Sequence, residues 1–87
     1  MNVIIVGFGK IGKVHFKILQ DIRKIKKIYL IDKFEDKKNG IDSFNSFKKK
    51  NIKDVDYAFI CSPSHLHYEH AAYFLKKKIP VLIEKPF

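Results

Sequence analysis

Four short runs of apolar residues divide the chain. They cover residues 3–6, 28–31, 57–61 and 81–83, and they are rich in β-branched and aromatic side chains. A continuous apolar run of this length is typical of a strand that is covered on both faces of a parallel sheet. The pattern therefore predicts four buried strands.

Segments with helical periodicity or high polarity separate these runs. After the first run, apolar residues recur at helical spacing, at Ile11, Val14, Ile18, Leu19 and Ile22. After the third run, a second helix is marked by Leu66, Ala71, Phe74 and Leu75. We expect Ser62 or Ser64 to cap this second helix. Residues 33–54 are polar and charged, and they predict a loop with a short helix near 43–50. In that segment only three residues look like core contacts, namely Ile41, Phe44 and Phe47.

The alternation of strands and helices predicts one α/β domain over residues 1–87. Right-handed crossovers would give a Rossmann-type parallel sheet with strand order 3-2-1-4, flanked by helices, as an incomplete doubly wound fold. The fourth strand would then be an exposed apolar edge, which natural proteins avoid. We therefore expect this edge to pair with a continuation of the chain, with a second copy or with another subunit.

Composition narrows the class of partner and the compartment. The formal net charge is +9, but the lysines fall in scattered clusters and Arg23 is the single arginine, so nucleic acid is a disfavoured alternative. Cys61 is the single cysteine, which excludes an intrachain disulfide and favours a reducing, cytoplasmic location. No apolar stretch approaches the roughly 18 residues of a membrane span, and the N-terminus does not resemble a signal peptide.

A glycine-rich turn follows the first strand and opens the first helix. It reads GxGxxG, and its residues are Gly7, Phe8, Gly9, Lys10, Ile11 and Gly12. In a dinucleotide-binding turn the first glycine permits the tight turn, the second lets the backbone approach a pyrophosphate, and the third lets helix and strand pack closely. Free N–H groups at the helix N-terminus would face the phosphates.

Three other interpretations of the same letters remain open but are weaker. A Walker A loop would place Lys13 as its lysine, but Val14 stands where a magnesium-binding hydroxyl is needed. A kinase glycine loop lies between two strands, whereas a helical pattern follows here. A purely structural glycine turn is the last alternative.

Asp32 supports the dinucleotide interpretation. It lies 20 residues after Gly12, at the end of the second predicted strand. A carboxylate at this place can accept hydrogen bonds from both adenosine ribose hydroxyls and would repel a 2′-phosphate. NAD is therefore favoured, while the neighbouring Lys33 keeps NADP possible. An ordinary strand-end turn is the alternative role of Asp32.

Two later motifs stand at the ends of the third and fourth strands. The first is CSPSHLH over residues 61–67, and the second is EKP over residues 84–86. Together with the glycine turn they resemble the cofactor domain of the glucose–fructose oxidoreductase and inositol dehydrogenase family (Gfo/Idh/MocA), which carries a TPN-x-x-H turn and an EKP motif. The resemblance covers the whole chain in order. Ser62 and Ser64 depart from the family's threonine and asparagine, but both keep a small hydrogen-bonding side chain.

The resemblance implies roles for these residues. Lys85 would lie beside the nicotinamide as the catalytic residue and assist substrate binding or proton transfer, with Glu84 lining the nicotinamide side. Ser62 and Pro63 would lie near the cofactor ribose and nicotinamide, with His67 as the histidine of the turn. The strand-end Cys61 completes the predicted cofactor contacts. Without the motif, Lys85 would be one more surface lysine.

Metal and covalent chemistry are not predicted. His65, His67 and His70 form HxHxxH, but apart from Glu69 no acidic or cysteine cluster supports a metal site. His15 on the first helix is interpreted as structural. Cys61 has no evident activating base, so it is not predicted to be a nucleophile.

The resemblance also implies a function for the chain. It would be the NAD(P)-binding portion of an oxidoreductase that transfers hydride to or from a hydroxyl-bearing carbon of a sugar, sugar nucleotide or cyclitol. The family's second domain, which supplies the substrate pocket, is absent, so this chain alone is expected to be inactive. A non-catalytic nucleotide-binding module and a truncated fragment remain the alternatives.

Overall fold

The computed structural model describes residues 1–50 and 52–84. Within these residues, five strands and three helices follow one another, with a 3-10 turn at Lys37–Asn39. Their bounds are β1 Asn2–Val6, α1 Lys10–Gln20, β2 Lys27–Asp32, β3 Ile41–Ser43, α2 Phe44–Lys49, β4 Tyr57–Ile60, α3 Ser64–Lys76 and β5 Val81–Ile83.

All five strands are parallel and form one sheet with the order β3-β2-β1-β4-β5. The register places Val3 of β1 between Ile28 of β2 and Tyr57 of β4. The predicted α/β class, the Rossmann-type sheet and the order 3-2-1-4 are confirmed, with a fifth strand added. The numbering of the strands changes, however, because β3 lies in the segment that was predicted to be a loop. Residues 57–60 therefore form the fourth strand and pair with β1, whereas the prediction placed this run beside β2. Residues 81–83 pair with β4, whereas the prediction placed them beside β1. Both positions differ because β3 occupies the place beside β2.

The two faces of the sheet carry separate cores. One face packs against α2 and α3, and its fully buried side chains include Ile4, Val6, Ala58, Ile60, Phe47 and Phe74. The other face packs against α1 through Val3, Ile5 and Leu19. The central strand β1 is buried on both faces, as its β-branched run predicts.

Helix α1 has its apolar stripe turned away from the sheet. The helix itself is confirmed, but it meets the sheet through Gly12, Phe16 and Leu19. Four of the residues that marked it in the sequence are 42–57% exposed, namely Ile11, Val14, Ile18 and Ile22. Leu82 of the edge strand β5 is 40% exposed. These five residues are called the apolar surface below.

The start of α3 corrects the predicted cap. The N-cap residue is Pro63, which makes no side-chain capping bond, and Ser64 is already helical. Neither serine acts as the cap, because the Ser62 hydroxyl is bonded to a histidine further along the helix. At α2 the cap is regular, since the Ser43 hydroxyl accepts a hydrogen bond from the Ser46 amide. Among the described residues, none of the helices has the length and apolar character to cross a membrane.

Candidate cofactor site

A cavity of about 600 Å³ opens where the strands end at their carboxyl termini. Its size lies within the range of about 300–1,000 Å³ of small-molecule sites. Nine of the predicted cofactor residues line it: Gly7, Gly9, Lys10, Ile11, Asp32, Lys33, Cys61, Ser62 and Pro63. The carboxyl edge of an open parallel sheet, where the strand order diverges around β1, is the usual place for a ligand in such folds.

The three glycines of the turn differ in the space that surrounds them. Gly7 has φ of +95°, and a Cβ there would lie 2.6 Å from the Ser62 amide nitrogen. A Cβ on Gly12 would lie 2.0 Å from the Gly7 carbonyl oxygen. Both positions therefore exclude a side chain because backbone occupies the space. Gly9 is exposed, and a Cβ there would have nothing within 4 Å.

Gly9 is also the N-cap of α1, and it offers no side chain to the helix end. The first amides of a helix have no carbonyl partner within it, and the helix dipole makes this end positive. Gly9, Lys10 and Ile11 line the cavity at this point. The space beside Gly9 is therefore open, and an anionic group could lie there against the N-terminus of α1. A pyrophosphate requires this kind of space next to free helix amides.

Asp32 also lines the cavity, at the end of β2. Its Oδ1 accepts a hydrogen bond of 2.7 Å from the Lys33 amide, which fixes the carboxylate. The Lys33 ammonium lies 5.6 Å from the centre of the Phe34 ring. The β2 end is tied to the glycine turn, because the Gly7 amide donates to the Ile31 carbonyl at 2.7 Å.

The third wall is the turn between β4 and α3. Ser62 and Pro63 line the cavity, while Ser62, His67 and His70 are the buried polar residues of the described chain. His67 Nε2 donates to the Ser62 carbonyl, and His70 Nδ1 is 2.8 Å from the Ser62 hydroxyl. His67 thus supports the turn from behind rather than lining the cavity. Among the described residues, no group of three or more possible metal ligands comes together.

Cys61 and Glu84 interact electrostatically at the ends of β4 and β5. Burial, reinforced by the nearby Glu84 carboxylate, raises the pKa of the Cys61 thiol to about 11. Glu84 itself is bonded to His15 of α1, with 2.9 Å between Nε2 and Oε1. Its amide donates to the Ile60 carbonyl, so the residue continues the ladder of the sheet. The predicted catalytic Lys85 lies outside the described residues.

Several cavity residues were not predicted, and some predicted ones lie elsewhere. The added lining residues include Ser43, Phe44, Asn45, Leu66, Glu69 and His70. Phe44 was predicted only as a core contact, and the strand before it is just three residues long within a polar segment. Of the predicted residues, Gly12 lies buried beneath the turn, and Phe8 packs edge-on against Phe16 at 5.5 Å. Phe8 lines a shallower depression that also includes Asp32.

The model of the oxidoreductase family Gfo/Idh/MocA, described as having an NAD-binding Rossmann fold, matches residues 1–87. The chain belongs to this family. The Gfo/Idh/MocA fold seen here therefore agrees with the resemblance carried by the glycine turn and the EKP motif. The family is described as NAD-binding, and the cavity of this chain is lined by a glycine turn at a helix N-terminus.

Two solved structures show the same fold at low sequence identity. A probable dehydrogenase from Thermotoga maritima superposes with a TM-score of 0.80 at 24% identity, over 99% of this chain. GenD2 from gentamicin A biosynthesis, solved in complex with NAD, superposes with a TM-score of 0.81 at 22% identity, over 99% of this chain. The chain spans only 28% and 27% of the lengths of these two proteins.

Proposed function

We propose that this chain binds NAD in the cavity at the carboxyl edge of its sheet. The observation that carries the proposal is the open space at Gly9, at the N-terminus of α1, in a cavity that the Asp32 carboxylate also lines. The pyrophosphate would lie against the turn, and the adenosine ribose would reach Asp32. GenD2, which has the same fold, was solved with NAD.

NAD is preferred to NADP in this proposal because of the charges around β2. The Asp32 carboxylate would accept both ribose hydroxyls, whereas a 2′-phosphate would meet like charge. Lys33 could offset that repulsion, but its ammonium is placed over the Phe34 ring. Arg23, the single arginine, lies beyond the far end of α1 and outside the lining of the cavity.

The proposed role of the bound cofactor is hydride transfer to or from a hydroxyl-bearing carbon of a sugar, sugar nucleotide or cyclitol. The chain's own residues would bind and orient the cofactor. Ser62 and Pro63 would lie near its ribose and nicotinamide, and Glu84 would line the nicotinamide side. Lys85 would assist substrate binding or proton transfer, as the family's EKP motif implies.

Turnover in this proposal requires a substrate domain that the 87 residues do not contain. The apolar surface on α1 and β5 is where we expect further polypeptide to pack, because exposed apolar stripes and open strand edges are normally covered. We propose that residues 1–87 are the cofactor unit of a longer oxidoreductase. Binding of the dinucleotide is then the property that can be measured on the chain itself.

The test is a calorimetric titration of the 87-residue chain with NADH and NADPH, repeated with Asp32→Ala. We expect NADH to bind more tightly than NADPH, and Asp32→Ala to remove this preference. Asp21→Ala is the matched control, because Asp21 is an exposed carboxylate at the opposite end of α1. A folded wild-type chain that binds neither dinucleotide would refute the proposed function. Equal loss of preference in both variants would refute the role of Asp32.

A further inference from the structure

Ser62 is held by two histidines from the same helix. His67 Nε2 donates to its backbone carbonyl, and His70 Nδ1 lies 2.8 Å from its hydroxyl oxygen. The two histidines are three positions apart, so they lie on the same face of α3 and both reach back to the turn that precedes the helix. Ser62, His67 and His70 are 7%, 8% and 6% exposed.

The held residue supports the glycine turn. The Ser62 backbone lies where a side chain on Gly7 would have to go, at 2.6 Å from its amide nitrogen and 2.7 Å from its Cα. Ser62 also lines the cavity, as do Gly7 and His70. A shift of Ser62 would therefore change both the support of the turn and the polar group that the cavity presents to a ligand.

His70 also contacts a second wall of the cavity. Its ring centre is 4.4 Å from that of Phe44 at the start of α2, and Phe44 lines the cavity too. Three ionisable groups act on the imidazole: Glu69 and His67 on its own helix, and Lys48 on α2. Burial lowers the pKa of His70; Glu69 raises it, and His67 and Lys48 lower it. The lowered pKa favours the neutral ring, in which one nitrogen can accept a hydrogen bond.

We propose that His70 is a positioning residue for the cofactor: its Nδ1 accepts a hydrogen bond from the Ser62 hydroxyl, so that Ser62 presents an oxygen acceptor to the hydroxyl groups of the dinucleotide. This inference rests on the proposed NAD-binding function. A serine hydroxyl has one proton and two lone pairs, so donation to His70 leaves Oγ available as an acceptor. The ring also contacts both Phe44 and Ser62, and both of these residues line the cavity.

The binding test compares two replacements of His70 with NAD as the probe. In His70→Asn the amide oxygen can replace Nδ1 as the hydrogen-bond acceptor. His70→Leu fills the space but cannot accept a hydrogen bond. We expect His70→Leu to weaken NAD binding by about three- to tenfold, as the loss of one hydrogen bond implies, and His70→Asn to remain close to the wild type. Tyr68→Leu is the control on the same helix, because Tyr68 is 87% exposed and does not line the cavity.

Equal NAD affinity in both His70 variants would overturn the inference, whether both match the wild type or both are equally weak while folded. A wild-type chain that fails to bind NAD would refute the proposed function and the part of this inference that concerns the ligand. The hydrogen bond itself is tested without any ligand. Long-range ¹H–¹⁵N correlation spectra should show His70 Nδ1 unprotonated, and Ser62→Ala should move that nitrogen resonance. A protonated Nδ1 at pH 7 would overturn the inference even if NAD binds.

Discussion

Alanine substitutions at Gly9 and Gly12 separate what the glycine turn does for folding from what it does for binding. The two residues are three positions apart, and Gly9 caps the helix on which Gly12 lies. A Cβ on Gly12 would be 2.0 Å from the Gly7 carbonyl oxygen, whereas a Cβ on Gly9 would have nothing within 4 Å. The same chemical change therefore meets backbone at one site and open space at the other.

Gly12→Ala is expected to destabilise the fold. Overlap with a backbone oxygen costs about 3 kcal/mol, the upper end of the usual range for overpacking, because the carbonyl cannot move away without disturbing β1 and the turn. The gain in helix propensity on replacing glycine by alanine offsets about 1 kcal/mol of this. The net loss of about 2 kcal/mol corresponds to a fall of about 8–16 °C in the Tm of a domain of this size.

Gly9→Ala is expected to leave stability unchanged and to weaken NADH binding. Its φ of −81° suits alanine, so the small loss of capping and the small gain in unfolded-state entropy cancel to within about 0.5 kcal/mol. The added methyl group would occupy the space that the pyrophosphate needs. We expect NADH affinity to fall at least about tenfold, since the phosphates lose contact with the helix end.

Thermal unfolding by circular dichroism and calorimetric titration with NADH measure the two effects on the same samples. We expect opposite patterns in the two variants: Gly12→Ala should lower the thermal stability, and Gly9→Ala should lower only the affinity for NADH. If Gly9→Ala binds NADH like the wild type, the phosphates do not lie against this turn. If Gly12→Ala is as stable as the wild type, the close approach of α1 to Gly7 is wrong.

Two further predictions concern the residues at the ends of β4 and β5. Because the pKa of Cys61 is raised from 9.0 to about 11, its thiolate fraction at pH 8 should be lower by about 90-fold than in the unfolded chain. Its reaction with a disulfide reagent should be slowed accordingly and should accelerate as the pH rises towards 11; equal rates in native and urea-unfolded chain would contradict the burial of the thiol. His15→Leu removes the bond to Glu84 and should lower stability by about 0.5–1 kcal/mol, the range of a partly exposed hydrogen bond. A double-mutant cycle with Glu84→Leu, which leaves no acceptor for His15, measures the coupling, and strict additivity would show that the two side chains do not interact.

Much of the fold could be predicted from the sequence because its strongest signals are local. The β-branched run before Gly7 predicts a buried strand, and the glycine spacing predicts a strand followed directly by a helix. Strand β3 was missed because three residues within a charged segment carry too little periodicity to detect. Strand β3 forms because the backbone groups of Leu30 to Asp32 in β2 pair with it. This pairing is a tertiary contact, so the local sequence does not reveal it.

Residues of the candidate site could be predicted where binding a ligand group would require a particular residue type. They could not be predicted where a residue reaches the cavity only through the tertiary fold. Gly9 and Asp32 were predicted because a phosphate and a ribose would each require a particular kind of group at a particular place, and both residues line the cavity. Phe44 and His70 were not predicted to line the cavity, because their contact between α2 and α3 exists only in the folded chain. The apolar stripe of α1 predicted the helix correctly but not its rotation, which is fixed by the contact of Gly12 with the turn.

The most direct test of the central claim is an NMR titration of the ¹⁵N-labelled 87-residue chain with NADH. If NADH binds in the cavity, we expect the amide shifts to concentrate there, at Gly7, Gly9, Asp32 and Ser62. The amide resonance of the exposed Tyr68 on α3 should not move. We also expect ADP-ribose to reproduce the shifts at Gly9 and Asp32. A folded chain whose spectrum does not respond to NADH, or responds only at the scattered surface lysines, would contradict the account.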